Sequence, residues 1–380
     1  IRNYIHEYKS NYIIDLSNFK KSFKYKNAYH IKDQKGKRYC AKTFKKCKTP
    51  IKQKAFLQKM EAYSKLNNPV ICPLYGFCLL DINQKPFPTM LTKESKGGIL
   101  FSSFKHSVKH IYAKRHIIMY GIAKGMEYLH SQKIIHGHLK PSNVYLDEFC
   151  FPQIADIFTS DAPINENNII YIAPEILLQQ PYTQKADVYS YAIMFYEVLT
   201  ENIPYLKFTN LDEIKDFVTK MNIRPDLSYV KSESIRELLS RCWSVDPESR
   251  PDFSEIVTLL MKEEMMNELG GTKVEFEGYL ALFNERDEKE DAQALYNYAI
   301  ALKKGYKELQ KGDDKKDKYS LINDQKKLAA KMFQKAADKG HIHAMYKYGK
   351  LALDIYYTKD KKEKPINYIK MAAEKGDDSA

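Results

Sequence analysis

The sequence lacks several features that would place it in a specialised class of protein. No apolar run approaches the roughly 18 residues that a membrane-spanning helix needs, so no transmembrane segment is expected. The six cysteines are scattered without C-x-x-C pairs, which argues against a zinc site and against a disulfide framework. Gly and Pro are few, at 15 each, and the overall composition is globular. These absences predict a reduced, cytoplasmic protein.

The length and the two ends of the chain indicate how many domains it has and whether it is part of a longer protein. At 380 residues the chain is longer than one ordinary domain, so two domains are expected. It starts at Ile1 without an initiator Met or a signal-peptide pattern, and it stops at Ala380. We interpret it as a fragment of something longer.

Positive charge is concentrated at the start of the chain. The formal net charge is +13, of which residues 1–93 carry +15 and the remainder −2. One interpretation is a lysine-rich solvated surface. The other is a face for anionic lipid, nucleic acid or an acidic partner, although no aromatic-basic motif of a nucleic-acid module accompanies it.

The hydrophobic pattern changes along the chain from strand-like to helical. Short apolar runs separated by a polar turn, at 28–31 and 38–44, predict a hairpin. The i, i+3/i+4 spacing over 51–66 predicts a helix, and helical spacing dominates from Ile111 onward. The clearest later helices are predicted over Asp187 to Leu199, Ile235 to Trp243 and Phe253 to Met261.

A repeat occupies the last part of the chain. The segment 335–340 returns 36 residues later as 371–376, and 344–349 echoes 294–299. The longer second interval of 50 residues is attributed to a charged loop insertion at 311–318. Small residues at fixed helical positions let paired helices stack closely, which is typical of a solenoid.

Short motifs follow one another in a fixed order over residues 12–262. They are Ala41-Lys42, Tyr128-Leu129-His130, the loop His136 to Asn143, Ala155-Asp156, Ala173-Pro174-Glu175, Asp187 to Ser190, Arg241-Cys242-Trp243 and Asp246 to Pro251. This set resembles that of the protein kinases, in the tyrosine-kinase-like branch. The helical repeats resemble Sel-one-like repeats, which are related to tetratricopeptide repeats.

The resemblance implies an α+β fold with a bilobal kinase-like domain, made of a small β-rich lobe and a large helical lobe, followed by an all-α solenoid. The implied domain bounds are 12–262 for the kinase-like domain and 286–380 for the repeats, truncated at the C-terminus. The acidic stretch 263–285, with its Gly270-Gly271 break, is the predicted linker.

The resemblance also implies a role for individual residues. ATP and magnesium are the implied cofactors, and Glu175 with Arg250 is the implied structural ion pair. The implied nucleotide-binding residues are Lys42, Thr92, Glu94 and Asn143; the implied magnesium ligands are Asn143 and Asp156; Lys140 would touch the γ-phosphate.

Several positions depart from the kinase pattern. His138 stands where the family has the aspartate base, and Gly137 replaces the preceding arginine. Lys59 stands where the glutamate that orients Lys42 is expected, and Glu61 lies about 200° further round a helix, so it does not substitute. The loss of a general base typically costs about 10² to 10⁴ in rate.

The loop that would cradle the phosphates is also altered. Its three glycine positions fall at Lys21, Phe23 and Lys26, where side chains occupy the approach that glycine leaves open. Phe23 either contacts ATP or folds into an empty cleft. After Asp156 the family's Phe-Gly has become Ile157-Phe158, which removes a flexible hinge.

These departures predict a pseudokinase, that is, a signalling adaptor or scaffold that binds proteins and binds ATP and magnesium weakly or not at all. The alternative is an active Ser/Thr protein kinase that uses His138, or a nearby acid such as Asp147, in an atypical way. A third hypothesis treats the basic first lobe as a surface for a membrane or a nucleic acid.

Overall fold

The structure is a computed structural model of the whole chain. The residues that it describes are 16, 20–25, 28–44, 49–95, 97–101, 114–147, 149–157, 164–166, 168–205, 210–281, 288–311, 318–355 and 359–379.

The chain divides into two compact units. The first unit contains the described residues within Ile1–Ser107, Gly121–Asp147 and Pro152–Ile256, and the second unit those within Val108–Tyr120, Glu148–Phe151 and Val257–Ala380. None of the described helices has the length and apolar character needed to cross a bilayer.

A five-stranded antiparallel sheet begins the first unit, with strand order β1-β2-β3-β5-β4. Its strands are β1 (Lys20–Tyr25), β2 (Ala28–Lys32), β3 (Arg38–Thr43), β4 (Leu74–Cys78) and β5 (Thr89–Lys93). The predicted hairpin is β2–β3. Its turn is closed by Asp33, whose carboxylate accepts the N–H groups of Lys35 and Lys37, and by Gly36 at φ +77°.

Helix α1 (Pro50–Ser64) is inserted between β3 and β4. It starts where the sequence provides a cap, because the Thr49 hydroxyl accepts the Lys52 N–H and Pro50 needs no hydrogen-bond partner for its nitrogen. Phe56 is buried and packs edge-on against Phe77 of β4. The helix is thus fixed to the sheet by one apolar face.

The rest of the first unit is mainly helical, as the sequence predicts. It contains the short hairpin of β6 (Val144–Leu146) and β7 (Pro152–Ile154). Its helices are α2 (Arg115–Ser131), α3 (Pro174–Leu177), α4 (Gln184–Thr200), α5 (Leu211–Thr219), α6 (Glu233–Cys242) and α7 (Phe253–Leu260). Of α2 only the part from Gly121 onward belongs to the first unit, and of α7 only the part up to Ile256. Helix α4 is buried over Ala186–Val198, so it forms the centre of this unit.

The second unit begins with the first six residues of α2 and adds six further helices. These are α8 (Glu263–Glu268), α9 (Lys273–Leu280), α10 (Glu288–Lys311), α11 (Lys318–Asp338), α12 (Ile342–Ile355) and α13 (Lys359–Glu374). From α9 onward each helix packs against the next.

The segment predicted as a linker is helical over α8 and α9. Thr272 accepts the Glu275 N–H and starts α9, and Phe276 of α9 packs edge-on against His116 and Tyr120. The His116 ring bonds to the Leu260 carbonyl at 2.7 Å. Acidic composition and the Gly270-Gly271 break predict a linker here, but the apolar residues between the acids are buried, among them Met265, Phe276 and Leu280.

The predicted repeat is visible in how α11 and α13 end. In both, a glycine with positive φ is followed by the same pair of backbone bonds, which is the Schellman motif. The bonds run from Gly340 to Ala337 and from His341 to Ala336 after α11, and from Gly376 to Ala373 and from Asp377 to Ala372 after α13.

The side chain after each of these glycines makes an equivalent contact. The His341 Nε2 lies 3.3 Å from Gln293 Oε1, and the Asp377 Oδ2 accepts from His343 Nδ1 at 2.8 Å. Gln293 precedes His343 by 50 residues, the second interval of the sequence repeat. The two backbone motifs and the two side-chain contacts therefore recur at corresponding positions of the sequence repeat. The proposed insertion at 311–318 lies almost entirely outside the described residues.

Candidate active-site residues

Lys42 and Asp156 form a direct ion pair in the first unit. Lys42 lies on β3, Asp156 follows β7, and the Nζ to Oδ2 distance is 2.5 Å. Burial alone would raise the pKa of Asp156, but the Lys42 ammonium lowers it below its usual value. Asp156 adopts φ +62°, a left-handed conformation that costs a non-glycine residue roughly 1–2 kcal/mol. Such conformations are concentrated at functional sites.

Helix α1 does not supply an acid to Lys42. Glu61 pairs with Lys65 one turn along the same helix, at 3.1 Å. Lys59 occupies the position of the expected glutamate and is partly buried. The expectation that Glu61 does not substitute for that glutamate agrees with this geometry. Asp156 is thus the acid that Lys42 contacts.

Asp187 of α4 holds the first residues of the loop from His136 to Asn143 by hydrogen bonds to their backbone. The Asp187 carboxylate accepts the backbone N–H groups of His136 and Gly137, at 2.9 and 2.8 Å, and the His130 Nε2 at 2.9 Å. Gly137 has φ +66°, so the glycine that replaces the family arginine sits where the backbone is left-handed. Sequence reasoning identified Asp187 only as the start of a helix and missed this role.

The protonation of His136 follows from its two partners. Its Nε2 lies 3.0 Å from the Ala155 carbonyl, which can only accept, so Nε2 carries the proton. Its Nδ1 then accepts the His138 N–H at 3.2 Å. Burial lowers the pKa of His136 below its usual value, consistent with a neutral ring. This ring links the loop to the residue before Asp156.

His138 occupies the position of the base and is a neutral imidazole. Burial, then the nearby Lys140 and His136, lower its pKa to about 3. Beside it lies a small cavity of about 20 Å³, lined partly by Gly137, Tyr171 and Ser190, which is room for about one water molecule. A positive imidazolium is therefore not present at neutral pH.

Asn143 is held by two hydrogen bonds, one to the residue before Asp156 and one to His138. The Asn143 backbone carbonyl accepts the Ala155 N–H, and its side-chain Nδ2 donates to the His138 carbonyl at 2.7 Å. The backbone of Asn143 is thus bonded to Ala155, the residue before Asp156. Lys140 precedes the short 3₁₀ turn Pro141–Asn143 and is partly buried. Within the described residues, no group of three or more His, Cys, Asp or Glu side chains is arranged to hold a metal ion.

Thr92 and Glu94 lie on β5 and directly after it. Thr92 is buried between Cys40 of β3 and Leu74 of β4. The Glu94 carboxylate accepts from His30 at 2.8 Å, so its side chain is engaged within the sheet. After Glu94 the chain passes close to the end of β6. A β-carbon on Gly97 would lie only 2.1 Å from the Asp147 carbonyl oxygen.

Four altered positions lie wholly or partly outside what the structure describes. The side chains of Lys21 and Phe23, in β1, are outside it, as are all atoms of Lys26 and Phe158. The register of β1 and β2 pairs Tyr25 with Ala28, so only two residues connect these strands.

Comparison with known proteins identifies the family. The family model of protein tyrosine and serine/threonine kinases matches residues 22–260. The chain is 38% identical over 148 residues to serine/threonine/tyrosine-protein kinase HT1 of Arabidopsis thaliana, covering 37% of this chain and 38% of that protein. It is 30% identical over 224 residues to serine/threonine-protein kinase STY17 of Arabidopsis thaliana, covering 57% of this chain and 38% of that protein.

A third relative is serine/threonine-protein kinase TNNI3K of Homo sapiens, 36% identical over 219 residues, or 54% of this chain and 26% of that protein. The chain spans well under half the length of each of these relatives. The family match covers the sheet, the loop held by Asp187 and helices α1 to α7. On these grounds the chain belongs to the family of protein tyrosine and serine/threonine kinases.

Proposed function

We propose that this chain is a pseudokinase scaffold, in which a kinase-fold unit that does not transfer phosphate is joined to Sel-one-like helical repeats that bind proteins. The single observation that carries this proposal is the Lys42–Asp156 ion pair, with the neutral His138 beside it. Kinase catalysis consists mainly of positioning and charge neutralisation around the transferred phosphate, so the proposal rests on which groups are free to do that.

The pairing of Lys42 with Asp156 engages two charges that catalysis would need, one for the phosphates and one for magnesium. In the family such a lysine contacts phosphates and such an aspartate holds magnesium, and here each neutralises the other at 2.5 Å. Lys59 stands in place of the glutamate, and Glu61, the acid of α1, pairs with Lys65 rather than with Lys42. The Asn143 amide and the Asp156 carboxylate are oxygen ligands that suit magnesium. Lys42, which would contact the phosphates, is instead paired with Asp156, and this pairing does not fit an ATP–magnesium complex.

The base position supports the same conclusion. An efficient general base has a pKa near the working pH, because it must be both unprotonated and able to take a proton. The His138 imidazole, with its pKa lowered to about 3, is unprotonated but takes a proton poorly. The room beside it, about 20 Å³, is enough for about one water molecule and too small for an acceptor side chain.

The recurring glycine-terminated helices support a recognition role for the second unit. Stacked helical repeats present extended surfaces on which partner proteins bind. The recurrence of the Gly340 and Gly376 motifs, and of the His341 and Asp377 contacts, is what such a stack requires.

A nucleotide titration followed by an assay of transfer tests the proposal. The melting temperature is measured with millimolar ATP, with and without magnesium, and then the incorporation of radiolabel into a generic substrate. We expect no magnesium-dependent shift and no incorporation above that of the Asp156→Ala variant. A magnesium-dependent shift together with incorporation that Asp156→Ala abolishes would establish the alternative, an active Ser/Thr kinase.

A further inference from the structure

An open groove lies between three helices of the second unit. Its volume is about 490 Å³, which is within the range of sites that bind small ligands. The groove is lined by the end of α11, the start of α12 and five residues at the C-terminal end of the chain, Lys364, Asn367, Tyr368, Met371 and Lys375. We call this space the α13 groove.

The five residues that line the groove share one face of α13. At 3.6 residues per turn they fall within a sector of about 100°. Pro365 and Ile369 lie on the neighbouring sector and approach Gly349 of α12. The groove face is therefore distinct from the face that packs on α12, and it carries Met371, whose side chain is 40% exposed.

Tyr368 fixes the shape of the groove. Its ring packs edge-on against Tyr348 of α12, with 4.9 Å between the ring centroids, and its hydroxyl donates to the Asp338 carboxylate at the end of α11. One side chain thus joins α13 to both of the other helices. The groove is formed before a partner arrives, which lowers the entropy cost of binding.

The groove has a positive charge at each end of its α13 face. Lys364 and Lys375 are both exposed, and their positions eleven residues apart place them about 16 Å from each other along the helix axis. Among the residues that the structure describes, no carboxylate lies within ion-pair distance of either ammonium group. Asp338, which also lines the groove, is engaged with the Tyr368 hydroxyl.

We propose that the α13 groove binds an extended peptide segment of a partner protein, with an acidic side chain at each end and an apolar side chain between them. The inference rests on the recognition role proposed above for the second unit, and it specifies the class of partner. The acids would contact Lys364 and Lys375, and the apolar side chain would contact Met371. The exposed Asn367 amide offers both a donor and an acceptor to the peptide backbone.

The geometry of an extended chain sets the spacing of the two acids. Such a chain rises about 3.3 Å per residue, so acids four positions apart are separated by about 13 Å. Flexible lysine side chains whose backbones are about 16 Å apart can reach both of them. Since side chains recur on one side of an extended chain at every second residue, an apolar residue midway faces the groove together with the acids.

The same features make a bilayer or a nucleic acid a poorer match. A surface that lies in a membrane interface projects its apolar face into the lipid, whereas Met371 lines a concave space between helices. A nucleic acid carries a negative charge at every nucleotide, and the Asp338 carboxylate would face some of these charges. A peptide can leave the position beside Asp338 uncharged.

The test follows the methionine methyl signals of the full chain by NMR, with ¹³C-labelled methyl groups. The probe is an unlabelled peptide in which Glu-Ser-Leu-Ser-Glu is flanked by Gly-Ser, added to millimolar concentration at low salt. We expect the signals of Met345 and Met371, which line the groove, to shift. The signal of Met194, buried in the first unit, should not move. Met371→Leu assigns the Met371 signal.

Two control peptides separate the parts of this recognition. A peptide with Gln-Ser-Leu-Ser-Gln lacks the charges and should bind at least threefold more weakly. A peptide with Ser-Glu-Leu-Glu-Ser keeps both acids but brings them two positions apart, so it should also bind more weakly because it reaches one lysine at a time. The affinity of the first peptide should fall as salt screens the charges.

Lys364→Gln with Lys375→Gln should weaken binding roughly threefold to tenfold, as expected for two exposed charge contacts. The matched control is Lys273→Gln with Lys370→Gln, which removes the same charge from exposed lysines of α9 and of another face of α13. It should change the affinity less than twofold. Glutamine has nearly the helix propensity of lysine, and thermal unfolding checks that each variant folds. Asn367→Asp, which adds a carboxylate to the groove, should also weaken binding and provides a second measurement if the double variant is unstable.

Three results would overturn the proposal: no shift of the Met371 signal, an equal loss of affinity in both double variants, or larger groove-dependent shifts with phosphatidylserine vesicles or a single-stranded oligonucleotide. The radiolabel assay described above reports on the first unit, so it is independent of these substitutions. A failure of the peptide to bind, with no label transfer, removes this partner class and leaves the pseudokinase proposal in place.

Discussion

The Arg250 guanidinium and the Glu175 carboxylate form a doubly hydrogen-bonded ion pair in the interior of the first unit. The Nη1–Oε1 and Nη2–Oε2 distances are 2.7 and 2.9 Å, and the arginine side chain is 0% exposed. The pair joins the end of the Ala-Pro-Glu motif to the segment before α7, two stretches 75 residues apart. The sequence-based expectation of a structural pair between these residues is confirmed.

Replacing Glu175 by glutamine should strongly destabilise the first unit. The variant leaves the buried Arg250 charge without a counterion, and breaking such a pair typically costs about 3–5 kcal/mol. The free energy of unfolding is measured by urea denaturation. The matched control is Glu255→Gln, which breaks the half-exposed pair with Arg241 and should cost less than about 1 kcal/mol. Equal costs for the two variants would contradict the prediction.

The Lys42–Asp156 pair should make stability depend on acidity. Because the folded pKa of Asp156 is lowered below its usual 3.8, its contribution is present above that value and is lost as the pH falls through the folded pKa. The Asp156→Asn variant should lack this acid-dependent loss. At pH 7 it should be less stable by about 1–3 kcal/mol, since it leaves the Lys42 ammonium unpaired. Asparagine tolerates the left-handed backbone at this position, so the variant tests the charge alone.

Denaturant unfolding at a series of pH values provides the measurement. The control is Asp216→Asn, which removes the carboxylate that contacts Lys220 on the surface of α5. That exposed pair should contribute no more than about 0.5 kcal/mol. A stability curve for Asp156→Asn that runs parallel to that of the unsubstituted protein below pH 4 would refute the assignment.

The buried histidines should destabilise the protein as the pH falls from 7 to 5. The pKa values of His116, His136 and His138 are all lowered from 6.5 in the folded state, so the unfolded chain takes up protons that the folded protein does not. Stability therefore rises with pH in this range, by up to about 1.4 kcal/mol per pH unit for each such histidine.

Replacing His138 by glutamine should reduce the slope of stability against pH by the contribution of one histidine, up to about 1.4 kcal/mol per pH unit. The difference between the variant and the unsubstituted protein should stay constant between pH 7.5 and 8.5, where no imidazole takes up a proton. An NMR titration supplies a direct check, because the His138 ring signals should not move between pH 5 and 8. A His138 signal that titrates near pH 6.5 would disprove the neutral assignment.

Restoring a carboxylate at the base position should not restore transfer. In the His138→Asp variant Lys59 still replaces the glutamate and Lys42 still contacts Asp156, so incorporation of radiolabel should stay at the level of the Asp156→Ala background. His138→Asp combined with Lys59→Glu is the informative comparison, because it also supplies an acid at the position where the kinase pattern has the glutamate. Transfer by the single variant that requires Asp156 would show that the base alone was limiting.

The second unit should be sensitive to a single methyl group at Gly349. A β-carbon there would lie 2.3 Å from Ile369 Cγ1 and 2.7 Å from the Pro365 carbonyl oxygen on the neighbouring helix. Gly349→Ala should therefore cost about 1–3 kcal/mol through overpacking. Gly305→Ala, in α10, is the control, since its nearest neighbour would be the flexible end of Gln325 at 3.4 Å. That change should stabilise the helix by about 0.5–1 kcal/mol, and thermal unfolding of both variants measures the contrast.

Much of the candidate site was predictable because its residues lie in short stretches of sequence. The positions of Lys42, His138 and Asn143 follow from the motifs that contain them, and the family match to residues 22–260 confirms the kinase fold that those motifs predict. The pairing of Glu61 with Lys65 also follows from local spacing, since residues four apart share a helix face. The roles of Lys42, Thr92, Glu94, Lys140, Asn143 and Asp156 toward a nucleotide remain predictions.

The relationships that sequence reasoning missed join distant parts of the chain. Asp187 holds a loop 50 residues earlier, and the partner of Lys42 lies 114 residues later. The helical packing of α8 and α9 was missed for a similar reason, because the aromatic side chains that bury Phe276 come from α2. No local pattern records which distant side chains a residue will contact.

The sequence by itself determined the family, the order of strands and helices, the repeat of small residues and the loss of the aspartate base, because each is written in neighbouring residues and their spacing. Only the tertiary structure decided that Lys42 contacts Asp156 and that burial holds His138 neutral. The charge state of a group and the identity of its partner depend on the dielectric and the side chains around it, and folding sets both.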